Sequence, residues 1–225
     1  VALLVHSSTL MTSLGLGGLV HLWGPAGAGK TLLAVALATD VSKHARVEWV
    51  NTDGKKSFVR YLKRNIEALG GCSDNVTITM TDDQSELLEL IQALPTMDLP
   101  SLIVIDPITR VLDLARDNPT LWGREIVEEV LPTLAGIVTA NDVSIVITSE
   151  IRMLEDSGNR AVHHSTIAKW IDHDLYLNRD LSGSLTHIVS KIEDVDQETA
   201  QLRVDQTGVL EIIPGIFPPR VSEGA

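Results

Sequence analysis

Cysteine is almost missing from this chain. Cys72 stands alone, which excludes an internal disulfide framework and fits a reducing, cytoplasmic setting. Uninterrupted apolar stretches long enough to cross a bilayer are missing too, so no membrane span is expected. The N-terminal "VALLVHSSTLMTSLGLGG" is apolar, but it has no basic segment ahead of it and is broken by His6, Ser7, Ser8 and Thr9. That pattern predicts a buried segment rather than a signal peptide. An excess of positive charge is also lacking. The net charge of −12 argues against a protein whose main task is to coat nucleic acid. Internal repeats and low-complexity stretches are absent.

What is present is a chain of 225 residues, 44% apolar, suited to one large α/β domain with a substantial core. Its charge is uneven. Residues 1–70 carry eight Lys/Arg against four Asp/Glu, and the remainder ten against twenty-six, so a basic patch can survive on an acidic molecule. Short β-type runs, "LVHLW", "RVEWVN", "VTITM", "LIVID" and "SIVITS", are separated by helix-length segments. Runs that are apolar on both faces and joined by helices predict a mostly parallel sheet covered on both sides. Helices are expected over about 30–44, 56–69, 83–94 and 119–140. Asp83 is the N-cap of the third, Asn118-Pro119 opens the fourth, and Pro132 kinks or divides it. After residue 170 come "DLYLNR", "LTHIVSK", "AQLRVD" and "VLEII", split by turn signals such as Ser182-Gly183. They predict an antiparallel C-terminal extension of the sheet. The domain is expected to span residues 1–213, with 214–225 a loose tail.

Residues 24–31 read "GPAGAGKT" directly after "LVHLW". The spacing G-x-x-x-x-G-K-[ST] meets the demands of phosphate binding. Gly24, Gly27 and Gly29 let the backbone curl until successive N–H groups point inward, and Pro25, Ala26 and Ala28 complete the loop. Lys30 adds a point charge, and Thr31 offers a hydroxyl to Mg2+. A helix starting at Lys30 aims its positive end at the same phosphates. A glycine-rich turn without a ligand is the plainer alternative, but four fixed positions in a strand–loop–helix context favour ATP.

"SLIVIDPIT" (101–109) ends a buried strand on Asp106, at the carboxyl tip where open α/β sheets place ligands. That is the place of a Walker-B aspartate, which orders the shell of Mg2+ beside the P-loop threonine. "EWVNTDG" (48–54), the strand after the P-loop helix, puts Asp53 at its tip. Two readings stand there: a carboxylate that holds or deprotonates attacking water, or an Asx-turn leading into a helix.

Taken in order, "GPAGAGKT", "VNTDG" followed by "SFVRYLKR", "LIVIDPIT", "SIVITSEI" and "THIVSKIED" give a chain that resembles the RecA/RadA recombinase core, and within it the archaeal RadB-type paralogues. The resemblance covers roughly residues 10–213. It implies a RecA-like P-loop NTPase core that binds ATP and Mg2+, without the N-terminal helical DNA-binding domain of full recombinases. It also implies homo-oligomers formed through the nucleotide interface. The catalytic glutamate of the family is replaced by Asp53, and Pro107 replaces the usual serine. Glu150 stands at a sensor position that is usually glutamine. An ionised glutamate cannot donate to a phosphate oxygen as an amide does. KaiC-like ATPases, a neighbouring branch, resemble the chain at "TSE". Lys191 matches the family position that reaches toward nucleotide across a subunit boundary; a plain surface lysine is the alternative.

In recombinases the loop after the sensor strand contacts DNA. Here it spans 151–170 and mixes Arg152, Arg160, His163, His164 and Lys169 with Glu155 and Asp156, so a mobile polar loop and a DNA contact both remain open. Its adjacent histidines have no partner at convincing metal-ligand spacing. In the helix at 56–69, Lys56, Arg60, Lys63 and Arg64 share one face and Phe58, Leu62, Ile66 and Leu69 the other. That basic face is either solvated or docks weakly on DNA or on an acidic surface of a RadA-type recombinase or another repair protein. The expected function is an ATP-binding, slowly hydrolysing accessory paralogue of recombination. The rivals are a KaiC-like regulatory switch, a non-hydrolysing scaffold, and a small-molecule kinase, for which no arginine-rich lid is found.

Overall fold

A computed structural model describes residues 10–53, 55–81, 84–108, 126–152, 160–161, 164–181, 183, 185–192, 195–204 and 210–214. A short helix α1 (Leu10–Ser13) leads into β1 (Leu19–Gly24), followed by α2 (Lys30–Ser42), β2 (Val47–Asn51), α3 (Ser57–Ala68), β3 (Val76–Met80), α4 (Gln84–Ala93) and β4 (Leu102–Asp106). A π-turn (Ile126–Val130) runs into α5 (Leu131–Ala140) and then β5 (Ser144–Arg152). After β6 (Arg160–Ala161) and α6 (His164–Ile167) come β7 (His173–Arg179), β8 (Leu185–Ile192), β9 (Val195–Val204) and β10 (Leu210–Pro214).

The strands join in the order β10-β9-β8-β7-β1-β5-β4-β2-β3, with β6 paired to β5. From β7 to β3 every neighbour is parallel. From β7 outward through β8, β9 and β10 every pairing is antiparallel. This is the predicted division, with β7 as the hinge between the two regimes.

Strand periodicity explains the two-sided core. Side chains alternate across a pleated strand, so Leu102 and Val104 of β4 join Val20, Leu22, Trp49 and Val146 on the face covered by α2 and α3. Ile103 and Ile105 of β4 join Leu19, Val50, Ile145 and Ile147 on the face covered by α4 and α5. Strands buried on both sides need apolar residues on both faces, which is why β1, β2, β4 and β5 carry near-continuous apolar runs.

The expected fourth helix divides where Pro132 was read as a breaker. Pro132 lies in the first turn of α5, directly after the π-turn. Without an N–H, proline fits that first turn and cannot continue a preceding ladder. The predicted Asp83 cap, the Asn118-Pro119 start, Ser182 and the tail beyond Pro214 lie outside the described residues, as do residues 1–9. Where the chain becomes described, Met11 and Leu14 are buried. No described helix is long and apolar enough to cross a membrane.

Candidate nucleotide site

β1 delivers the glycine-rich loop to the carboxyl edge of the sheet. At its end, Gly24 has φ 151°, and a Cβ there would sit 2.1 Å from the Leu177 carbonyl oxygen of β7. Only glycine permits this approach of backbone to backbone. Gly29, at φ 97°, turns the chain into α2 as its N-cap, with no side-chain cap. The first N–H groups of α2 therefore have no intrahelical acceptor and point into the loop. α2 itself, "KTLLAVALATDVS", is rich in strong helix formers and almost wholly buried.

Lys30 is buried, and its Nζ donates to the carbonyls of Gly24 at 2.8 Å and Pro25 at 2.9 Å. The Ala28 N–H closes the loop onto Pro25 O, and the Ala28 carbonyl accepts from Thr186 Oγ1 at 3.0 Å. Thr31 Oγ1 donates to Asp106 Oδ2 at 2.9 Å. The other Asp106 oxygen accepts from Thr148 Oγ1 of β5. Burial pushes the Asp106 carboxyl above the usual carboxylate range. The hydroxyls of Thr148 and Thr31 and the Lys30 charge oppose this, and the Asp53 charge adds to it.

At the tip of β2, Asn51 Oδ1 accepts from the Asp53 N–H at 3.0 Å. An Asx-turn is made here by Asn51, one of whose partners is the Asp53 N–H, and Asp53 lines the cleft. Asp53 Oδ2 pairs with Lys55 Nζ at 2.9 Å. A cleft of about 250 Å³ is walled by Ala26, Gly27, Lys30, Thr31, Asn51, Asp53, Phe58, Asp106, Pro107 and Thr148. The structure therefore brings together Lys30, Thr31, Asp53 and Asp106. Glu150 takes its place in β5, paired in register with Gly24, and Lys191 lies in β8 opposite Asp196. The side chains of Glu150 and Lys191 lie outside the described residues, as do those of Arg152, Glu155, Asp156, Arg160 and His163.

Sequence reasoning missed Thr148 and Lys55. The signal for Thr148 was available in the strand register. Ile105 pairs with Ile147, so the residue after Ile147 must lie beside Asp106. A magnesium ion fits this donor set. A threonine hydroxyl and a carboxylate at the loop mouth are hard oxygen ligands, and Mg2+ fills its other positions with phosphate oxygens and water. Among the described residues no cluster of three His, Cys, Asp or Glu is placed to bind a metal without such help.

On the outer face of α3, Lys56, Arg60, Lys63 and Arg64 are exposed, while Leu62 and Ile66 are buried and Phe58 and Leu69 half-buried. The amphipathic reading of this helix holds. Tyr61, 46% exposed, lies among the four cations.

A glycine-rich loop opening a helix, beside a hydroxyl–carboxylate pair at the sheet's carboxyl edge, defines a P-loop ATPase of RecA-like fold. A family model described as an AAA domain matches residues 7–137, more than half of the chain; the chain belongs to that family. A crystal structure of the RadB recombinase is similar in fold, with a TM-score of 0.68 at 21% identity over 89% of this chain and 94% of that one. No curated protein matches the chain.

Proposed function

We propose that the protein binds Mg2+-ATP, hydrolyses it slowly, and serves homologous recombination and DNA repair as an accessory of a recombinase. The observation that carries the nucleotide part is the 2.9 Å link between Thr31 and Asp106 beneath the Lys30 ammonium. In this reading Gly24–Thr31 hold the phosphates and Thr31 and Asp106 hold the metal. Asp53 positions the attacking water, Glu150 senses the phosphate end, and Lys191 reaches a neighbouring copy's nucleotide. The recombination part rests on fold likeness to RadB and on the ordered motifs. The acidic total of −12 keeps DNA binding weak and leaves the α3 cations as its candidate surface.

One observation supports a second reading, an ATP-holding scaffold without turnover. The Lys55 ammonium already engages the Asp53 carboxylate, and a carboxylate held in an ion pair is a poorer base. ATPase assays with and without single-stranded DNA test both readings. Lys30→Ala is expected to weaken ATP binding on the order of a hundredfold, as loss of a charged hydrogen-bond donor does, in a protein that stays folded by circular dichroism. Asp53→Asn is expected to lower turnover by about a hundredfold, and Asp53→Glu to keep or raise it. Equal turnover in the wild type and Asp53→Asn would leave the scaffold. Regular filaments of this protein alone on DNA, seen by electron microscopy, would refute the accessory role.

A further inference from the structure

Behind the nucleotide cleft lies a second polar array that the motifs do not mention. His21 of β1 is fully buried; its Nδ1 lies 2.9 Å from Asp174 Oδ1 of β7 and its Nε2 2.7 Å from Ser149 Oγ of β5. The other Asp174 oxygen lies 2.6 Å from Nε2 of His164, the first residue of α6. The proton order follows from the chemistry. An ionised carboxylate only accepts, so both histidines donate to Asp174. Burial keeps His21 neutral by lowering its pKa, so its Nε2 accepts from the Ser149 hydroxyl.

This is the order of groups in a serine hydrolase triad, but Ser149 and His21 have no exposed surface and no substrate can reach them. A buried array of this kind fixes geometry. Its position decides which geometry. Ser149 directly follows Thr148, whose hydroxyl holds Asp106, and Ser149 pairs in register with Trp23, the last residue before Gly24. The Trp23 ring packs on His164 with centroids 4.7 Å apart.

Resting on the nucleotide reading above, we propose that Asp174 is a positioning residue of the ATP site. Through His21 and Ser149 it locks the tip of β5, so that Thr148 meets Asp106, and through His164 it fastens the start of α6 to the same point. The α6 segment and the metal-side carboxylate then share one anchor.

The test is a double-mutant cycle on Mg2+-dependent binding of a fluorescent ATP analogue, with wild type, Thr148→Ala, Asp174→Asn and the double variant. If Asp174 acts through Thr148, the single changes weaken binding by about tenfold and about fivefold, and the double variant is no weaker than Thr148→Ala. His21→Gln, which can still donate to Asp174 and accept from Ser149, keeps binding within about twofold, whereas His21→Leu behaves as Asp174→Asn. Independent losses that multiply in folded proteins would overturn the proposal. Hydrogen exchange of the ligand-free protein separates this result from failure of the nucleotide reading. In Asp174→Asn the amides of Thr148 and Glu150 are expected to exchange at least about tenfold faster while those of β2 and β4 hold. A uniform change across the sheet would overturn the relay, and failure of the wild type to bind ATP with the local change intact would refute only the nucleotide reading.

Discussion

Asp106 and Asp174 sit in the same sheet and are about equally little exposed, 6% and 7%, Asp106 being the more deeply enclosed, and their carboxyl groups are driven in opposite directions. Burial raises both. At Asp106 it prevails, because the partners there are the hydroxyls of Thr148 and Thr31, with Lys30 acting only at a distance and Asp53 adding a like charge. At Asp174 burial is outweighed chiefly by the hydrogen bonds that His164 and His21 donate, which hold its pKa down to about 2. Low exposure alone therefore does not decide the state of a buried carboxylate; the donors around it count as well. Asp106 is left short of positive charge, as a group awaiting a cation should be. Asp174 has what it needs and can serve only as a fixed point.

The largest effect that could break this comparison is removal of the anchored member. Asp174→Ala leaves two histidine N–H groups, one fully buried, without their acceptor. Deleting one partner of a buried charged network typically costs about 3 kcal/mol or more. Urea unfolding at neutral pH should show a midpoint shift of that size with an unchanged slope. A loss within the noise of a surface substitution would show that the array carries no weight in the fold.

A smaller effect is expected in acid. The folded pKa of Asp174, about 2, lies below an unfolded value near ~3.9. Its contribution is thus fully present above the unfolded value and is lost as pH falls through the folded one, amounting to about 2 kcal/mol. His21, with a lowered pKa, adds a separate loss that begins as pH drops below the unfolded histidine value. Stability measured from pH 7 to 2 should therefore fall in two stages for the wild type. Asp174→Asn should abolish the lower stage, and a variant that keeps it would show that another carboxylate is responsible.

What could be read beforehand divides along the same line. The P-loop and Asp106 were legible because their geometry is local: eight contiguous residues make the loop, and a strand-end position places the carboxylate. The parallel sheet was legible because β1, β2, β4 and β5 carry apolar residues on both of their faces. The His21–Asp174 contact joins residues 153 positions apart, and no spacing rule pairs them. It needs β1 to lie between β5 and β7, which sequence periodicity does not reveal. His164 was weighed for DNA contact and for a metal; its partner Asp174, ten residues on, belongs to β7. Lys55 lies only two residues from Asp53, a separation no motif singles out, yet it pairs with it.

The smallest expected effect is the one that sharpens the contrast most, because it has the opposite sign. In Asp106→Asn the side-chain oxygen can still accept from one threonine hydroxyl, and the amide can donate to the other. A carboxyl group whose folded pKa is raised costs the fold stability as pH climbs above the unfolded value toward the folded one, so at neutral pH, above the unfolded value, that cost is present. Removing the charge should therefore raise the melting temperature of the ligand-free protein at pH 7, with the gain fading near pH 4, where the unfolded carboxyl is itself protonated. With Mg2+ and ATP the order should invert. A ligand at a hundredfold excess over its dissociation constant stabilises the wild type by about 2.7 kcal/mol, and the variant, having lost a metal-side oxygen anion, should gain much less. Differential scanning fluorimetry with and without Mg2+-ATP would show the two curves crossing. A variant less stable than the wild type without ligand would mean that the Asp106 charge is already satisfied, and the difference between the two aspartates would collapse.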